Sequence, residues 1–166
     1  MGTLRDRLAG LLQRRRTRPA ASRRRRGSGA RAVAGYQGDF EGVPDLAYNP
    51  RPDGRPDPGE IVWTWVPFEE DHSQGKDRPV LVVGHDGPWL LGVQLTSKDH
   101  DGRPRRLGGP QWVDIGRGAW DPQRRPSEVR VDRVVRVDPT AVRREGSVLP
   151  RDRFELVVAA MRDARG

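Results

Sequence analysis

Apolar positions along this chain follow two regimes that change at Gly59. Before it they are sparse. Leu4, Leu8, Leu11 and Leu12 stand at i, i+4, i+7 and i+8 among Arg5, Arg7, Arg14, Arg15 and Arg16, the spacing of a short basic amphipathic helix over residues 3–16. An isolated helix of that length is marginal in water, so the same residues also read as a fraying helix in a disordered tail. Residues 17–58 run through "RRRRGSGARA" and "GVPDLAYNPRPDGRPDPG", where proline and glycine oppose regular structure. Tyr36, Phe40, Leu46 and Tyr48 are the residues able to pin this linker onto a folded domain.

From Gly59 the pattern changes to short apolar runs of strand length. "IVWTWV" at 61–66 and "PVLVVG" at 79–84 are β-branched and aromatic runs bounded by turn residues. "WLLGVQLTS" at 89–97 alternates Leu91, Val93 and Leu95 with Gly92, Gln94 and Thr96, predicting a strand with one apolar and one polar face. "QWVDIG" at 111–116 and "EVRVDRVVRVD" at 128–138 continue the series, and "HDGP" at 85–88 predicts a tight hairpin. Phe154, Val157, Val158 and Met161 then recur at helical spacing, predicting a terminal amphipathic helix over 151–164. Five strands and a closing helix predict a mainly β domain, a small twisted barrel, over 59–166, preceded by a disordered basic tail and linker over 1–58.

Charge sharpens this division. The 166 residues carry a formal net charge of +8, but residues 1–31 hold eleven arginines against the single acid Asp6. The remainder holds 20 basic and 22 acidic residues, so the high isoelectric point belongs to the tail and the barrel is nearly neutral. The absence of cysteine excludes disulfides and Cys-ligated metal centres. No apolar run approaches the ~20 residues of a membrane span, and the arginine-rich start lacks a secretory apolar segment. A cytoplasmic location is expected.

Chemistry concentrates in one loop. "EEDHSQGKDRPVLVV" at 69–83 carries far more side-chain function than a turn requires. No phosphate loop, metalloprotease helix or nucleophile elbow is present. His72, His85 and His100 lie in separate loops, so neither metal nor cofactor is expected. Pro79 favours a strand start or edge and sets Arg78 at a rim, where a guanidinium can grip a phosphate. Thr96 ends a neighbouring polar face beside Ser97 and Lys98. A surface arginine paired with Asp77 or Glu70 is the alternative that spacing leaves open.

The series as a whole resembles the PemK/MazF-type toxins of type II toxin–antitoxin systems. "GEIVWTWVPFEEDHSQGKDRPVLVV" resembles their opening strand, loop and second strand. "GVQLTS" resembles their third strand, and "WVDIG" with "PSEVRVDRVVRVDP" their later strands in order. The resemblance implies an SH3-like barrel of the MazF/CcdB type that forms a homodimer and is restrained by a cognate antitoxin. It also implies a metal-independent endoribonuclease, an mRNA interferase, in which a 2′-hydroxyl of single-stranded RNA attacks the adjacent phosphate. By the same resemblance Arg78 and Thr96 are catalytic, and Gln74 and Gly75 fill the matching loop positions. Many members carry a glutamate where this chain has Ser73. Glu70, Asp71 and His72 are the candidates for its proton-transfer task, and His72 is taken as the catalytic one.

Around these residues, Ser73, Gln74, Lys76, Ser97, Lys98, Arg103, Arg105 and Arg106 are expected to contact RNA, the last four giving salt-dependent affinity. Trp120 is expected to be exposed for base stacking or antitoxin contact. Two other functions stand beside the enzyme: a non-enzymatic protein-binding toxin of CcdB type, and a degenerate RNA-binding module. Removing residues 1–56 is expected to leave a stable dimer with weaker RNA affinity at low salt.

Overall fold

The computed structural model describes residues 35–100, 102 and 107–166. The helix expected over 3–16 and the RNA contacts expected at Arg103, Arg105 and Arg106 lie outside these residues. Among the described residues seven strands occur: β1 (Glu60–Pro67), β2 (Gly75–Asp86), β3 (Trp89–Thr96), β4 (Trp112–Gly116), β5 (Ser127–Arg130), β6 (Val135–Val137) and β7 (Arg144–Val148), followed by the helix α1 (Arg151–Arg165). They form one curled antiparallel sheet in the order β4-β5-β3-β2-β1-β7, with β6 also on β3. The architecture is mainly β with one C-terminal helix, a curled half-barrel.

Two departures from the five expected strands have local causes. The run 128–138 divides into β5 and β6 because the chain bends at Asp132. The carboxylate of Asp132 accepts from the Arg130 side chain and from the Gln111 amide, which fixes the bend between the two strands. β7 carries no alternating apolar signal, since "REGSV" is held as an edge strand by its pairing with β1. The hairpin at Gly87–Pro88 is as expected, with Gly87 at a φ of 58°, the left-handed region that glycine enters without penalty.

The sheet buries both faces. On one, Ile61, Leu81, Leu91, Val93, Leu95 and Val129 pack against Phe154, Val157 and Met161 of α1. On the other, Val62, Val66, Val80, Val82, Leu90, Val135 and Val137 form a smaller aliphatic core. The polar face expected for β3 is therefore mostly covered: Gly92 is buried and Gln94 is 9 % exposed. β3 is central, flanked by β2 on one edge and by β5 and β6 on the other, and with an apolar cluster on each face of the sheet its residues 90–95 are all buried.

Residues 35–58 contain no strand or helix, yet they run along the barrel as a strap. Phe40, Leu46 and Tyr48 pack on the core that α1 covers. The Tyr48 hydroxyl donates to the Leu149 carbonyl at 2.8 Å and its ring meets Phe154 at 5.0 Å. The amides of Phe40 and Ala47 donate to the carbonyls of Val134 and Val83. Gly84 explains how the strap approaches so closely. A Cβ there would stand 2.4 Å from the Asp45 carbonyl oxygen, so only glycine lets the strap cross β2. This packing changes the outcome expected of removing residues 1–56, which takes away barrel contacts as well as charge.

Candidate functional site

β2 places Arg78 and β3 places Thr96 on the same face of the sheet. In the β1–β2 ladder Thr64 stands opposite Arg78, and in the β3–β5 and β4–β5 ladders Thr96 and Asp114 stand opposite Glu128. β2 and β3 pair through Val80 and Gln94. The β2–β3 ladder ends at that pair, and Arg78 and Thr96, each two residues beyond it, lie on the same face as Val80 and Gln94. Directly opposed residues of antiparallel strands point to one side. A polar row of Thr64, Arg78, Thr96 and Glu128 thus crosses four strands at the end of the smaller aliphatic core. Pro79 stands where β2 parts from β3 and one of its edges becomes free, the position that tolerates a residue without an amide hydrogen.

Arg78 is half-buried, and among the described residues its guanidinium meets no hydrogen-bond or ion-pair partner. Burial, and then the charge of Arg133, hold its pKa below the usual arginine range. A guanidinium stays protonated even so, and its five donors face the site without a resident acceptor. The alternative pairings fall away: Asp77 pairs with Arg143 at 2.6 Å, and Asp77 lies on the opposite face of β2. The Thr96 hydroxyl oxygen accepts from the Lys98 amide at 3.2 Å, which leaves its own hydrogen to donate outward. Ser97 and Lys98 are exposed beside it. Glu128 is buried and holds His100 through both its backbone amide and Nδ1, while the His100 ring stacks on Trp112 at 4.3 Å.

The loop before β2 is tied by Asp71. Its carboxylate accepts from the Ser73 amide and hydroxyl and from the Gln74 side chain at 2.9 Å. Glu69 anchors the loop's start on Arg130 at 2.8 Å. Gly75 anchors its end, since a Cβ there would stand 2.3 Å from the Val66 carbonyl oxygen and 2.6 Å from the Trp65 ring. The strand also begins earlier than the sequence suggests: Gly75, Lys76, Asp77 and Arg78 are already paired with β1. Lys76 is exposed and lies 5.9 Å from the centre of the Phe68 ring. His72 is exposed at the loop tip, its ring edge-on to Tyr36 at 5.0 Å.

The Ser73 hydroxyl, then its amide, hold the Asp71 carboxyl below the usual carboxylate range. A depressed carboxyl contributes order above its unfolded pKa of about 3.9 and loses it as pH falls through the lower, folded value. Acid titration is therefore expected to release the loop with a midpoint below that of a free aspartate, read by NMR from the Ser73 amide. A midpoint at or above the free value would contradict the hydrogen bonds to Asp71.

Trp120 is a correction. It is 4 % exposed within the core, and its indole nitrogen donates to Ser127 at 3.0 Å, so it stacks on no base and touches no partner. Asp121 turns the flanking loop back by accepting from the Gln123 amide and the Arg125 side chain, which buries the ring. The sequence also gave no prominence to Gln94, Glu128, Arg133 or Asp39. Gln94 was recognisable as the residue two before Thr96 on the same face. Asp39 and Arg133 carried no local signal.

A family model described as "PemK-like, MazF-like toxin of type II toxin-antitoxin system" matches residues 57–164. No curated protein matches the chain. Among solved structures, the Mycobacterium tuberculosis toxin MazF-mt6 is similar at 18 % identity and a TM-score of 0.41, over 63 % of this chain and 94 % of that one. Among the described residues, no helix is long and apolar enough to cross a membrane.

Proposed function

The chain belongs to the PemK-like, MazF-like toxins of type II toxin–antitoxin systems, and from that premise we propose that it is an endoribonuclease that cleaves single-stranded RNA without a metal. The observation that carries the reading is Arg78: a half-buried guanidinium without a partner among the described residues, on the same sheet face as Thr96. Burying an unpaired charge is costly. A site of that kind fits an anion supplied from outside, and an RNA phosphate is such an anion.

The reaction proceeds by attack of a ribose 2′-oxygen on the adjacent phosphorus. The P–O5′ bond breaks, leaving a 2′,3′-cyclic phosphate and a 5′-hydroxyl. Negative charge builds on the non-bridging oxygens as the phosphorus becomes five-coordinate. Arg78 donates to two of these oxygens, and the free hydroxyl hydrogen of Thr96 donates to one, so both interactions strengthen toward the transition state. His72 takes the 2′-hydroxyl proton in place of the glutamate that many relatives carry at Ser73, and the departing 5′-oxygen takes a proton from water to become the 5′-hydroxyl. Glu69 is unsuited to that role, being spent on Arg130.

Ser73 and Gln74, ordered by Asp71, contact the RNA backbone together with Lys76, Ser97 and Lys98, and the charges of Arg103, Arg105 and Arg106 add salt-dependent affinity. The protein acts as a cytoplasmic homodimer held in check by its cognate antitoxin. Incubation with a long RNA is expected to give discrete fragments ending in cyclic phosphate, equally with and without EDTA. Fragments that disappear in EDTA, or an RNA left intact, would refute the reading.

A further inference from the structure

Asp39, from the strap, sits among the cations of the candidate site. Its carboxylate accepts from Arg133 Nε at 2.7 Å and from Nη2 at 3.1 Å, the fork-on-fork geometry in which a guanidinium also holds a phosphate. The Arg133 side chain is only 5 % exposed, so the strap roofs it. The Tyr36 hydroxyl donates to the same carboxylate, and the Tyr36 ring touches His72 in the catalytic loop. This small cluster joins the strap to the loop that carries His72.

The placement of Asp39 is built into the fold. Arg136 of β6 donates to the carbonyls of Gly38 and Asp39 at 3.0 Å each, lies over the Phe40 ring at 5.3 Å and is itself anchored on Asp86. The Phe40 amide is bonded to Val134, the residue after Arg133. These contacts aim the carboxylate at Arg133. Burial by itself would raise the Asp39 carboxyl, but the hydrogen bonds from Arg133 and Tyr36 overcome that and hold it below the usual range. Asp39 is thus a fixed anion and a poor proton acceptor. β6 pairs with β3 through Gly92 and Val135, and two residues further along that register Arg133 comes opposite Gln94. Gln94 pairs with Val80 on the face of β2 that also carries Arg78, and the charge of Arg133 accordingly acts on Arg78.

We infer that Arg78 and Arg133 together form a two-guanidinium phosphate site, and that Asp39 is the anion that occupies its Arg133 half in the RNA-free chain. The inference rests on the reading of Arg78 as the phosphate-binding arginine. Like charges brought together in a half-buried place call for more than one negative charge, and one carboxylate neutralises only Arg133. Successive phosphates of an RNA strand supply both. RNA entry then displaces Asp39 from Arg133, and the strap acts as an internal competitor that weakens binding until a phosphate outbids it.

Three full-length proteins test this: the wild type, Asp39→Ala, and Asp39→Ala with Arg133→Gln. The first probe is inorganic phosphate, followed by melting temperature. Phosphate is expected to stabilise Asp39→Ala by several degrees more than the wild type, and the double variant no more than the wild type. The second probe is a single-stranded 2′-O-methyl RNA of mixed sequence, which binds but cannot be cut. If Asp39 fills the site about nine-tenths of the time, its removal tightens apparent affinity about tenfold. The slope of log affinity against log salt should steepen by about 0.7, one more phosphate contact on a single strand.

Both gains are expected to vanish in the double variant. Asp39→Asn, which keeps an acceptor for Arg133 without its charge, should show the same order should Asp39→Ala fold poorly. Equal phosphate responses in all three proteins, or RNA affinity unchanged or reduced in both Asp39 variants, would overturn the inference. A protein that cuts no RNA while its phosphate response follows this charge pattern would overturn the ribonuclease reading and leave the anion site standing.

Discussion

Arg78→Ala is expected to lower RNA cleavage by about 10²–10³-fold, the loss that follows removal of one preorganised transition-state donor, while the melting temperature holds or rises. The second half of this expectation comes from the surroundings of the side chain. No described residue needs Arg78 as a partner, so its removal leaves no buried acceptor unsatisfied. Burial and the neighbouring Arg133 both disfavour the charged guanidinium in the folded chain, so folding works against it. A residue that opposes folding and is retained at a site fits the trade between stability and activity seen where sites carry strain or unpaired charge. Cleavage at the wild-type rate by Arg78→Ala would dismiss it as the phosphate-stabilising group. A melting temperature many degrees lower would show that the arginine serves the fold instead.

A chain cut to begin at Gly59 is expected to be severely destabilised, whereas one that begins at Gly35 should melt like the full-length protein. The lost strap takes with it the partly buried side chains of Phe40, Leu46 and Tyr48. At about 1.5 kcal/mol each, allowing for partial burial, these come to roughly 4–5 kcal/mol, before the Tyr48–Leu149 hydrogen bond and the backbone bonds to Val83 and Val134 are counted. Ordering the strap costs conformational entropy, which offsets part of this gain. Against a net stability of 5–15 kcal/mol for an ordinary domain, the remaining loss is large. Urea denaturation of the three chains decides it. Equal midpoints would mean that the strap rests on the barrel without supporting it.

What the sequence determined by itself is the part of this protein governed by local period. The β-branched and aromatic run at 61–66 and the alternation at 89–97 gave β1 and β3, and the spacing of Phe154, Val157 and Met161 gave α1 with the face it buries. Spacing alone left Arg78 open to a surface pairing, and it was the family resemblance that singled out Arg78 and Thr96; the register between strands, which period does not supply, sets them on one face of the sheet. Period tells which face of an element is apolar. It does not tell which other element covers that face or meets its polar end, because that depends on contacts between residues far apart in the chain.

Each revision to the sequence reading has this origin. Trp120 stood in a polar loop, but Asp121 folds that loop inward and Ser127 receives the indole. Gln94 lay on the polar face of an alternating strand, yet that face carries the smaller aliphatic core, whose Val80 stands beside it. Asp39 and Arg133 are 94 residues apart. In a chain with 29 arginines and 23 acidic residues, nothing local selects that pair from the many others available. The tertiary structure selected it, because the strap's apolar side chains found the barrel's core and carried the carboxylate to Arg133.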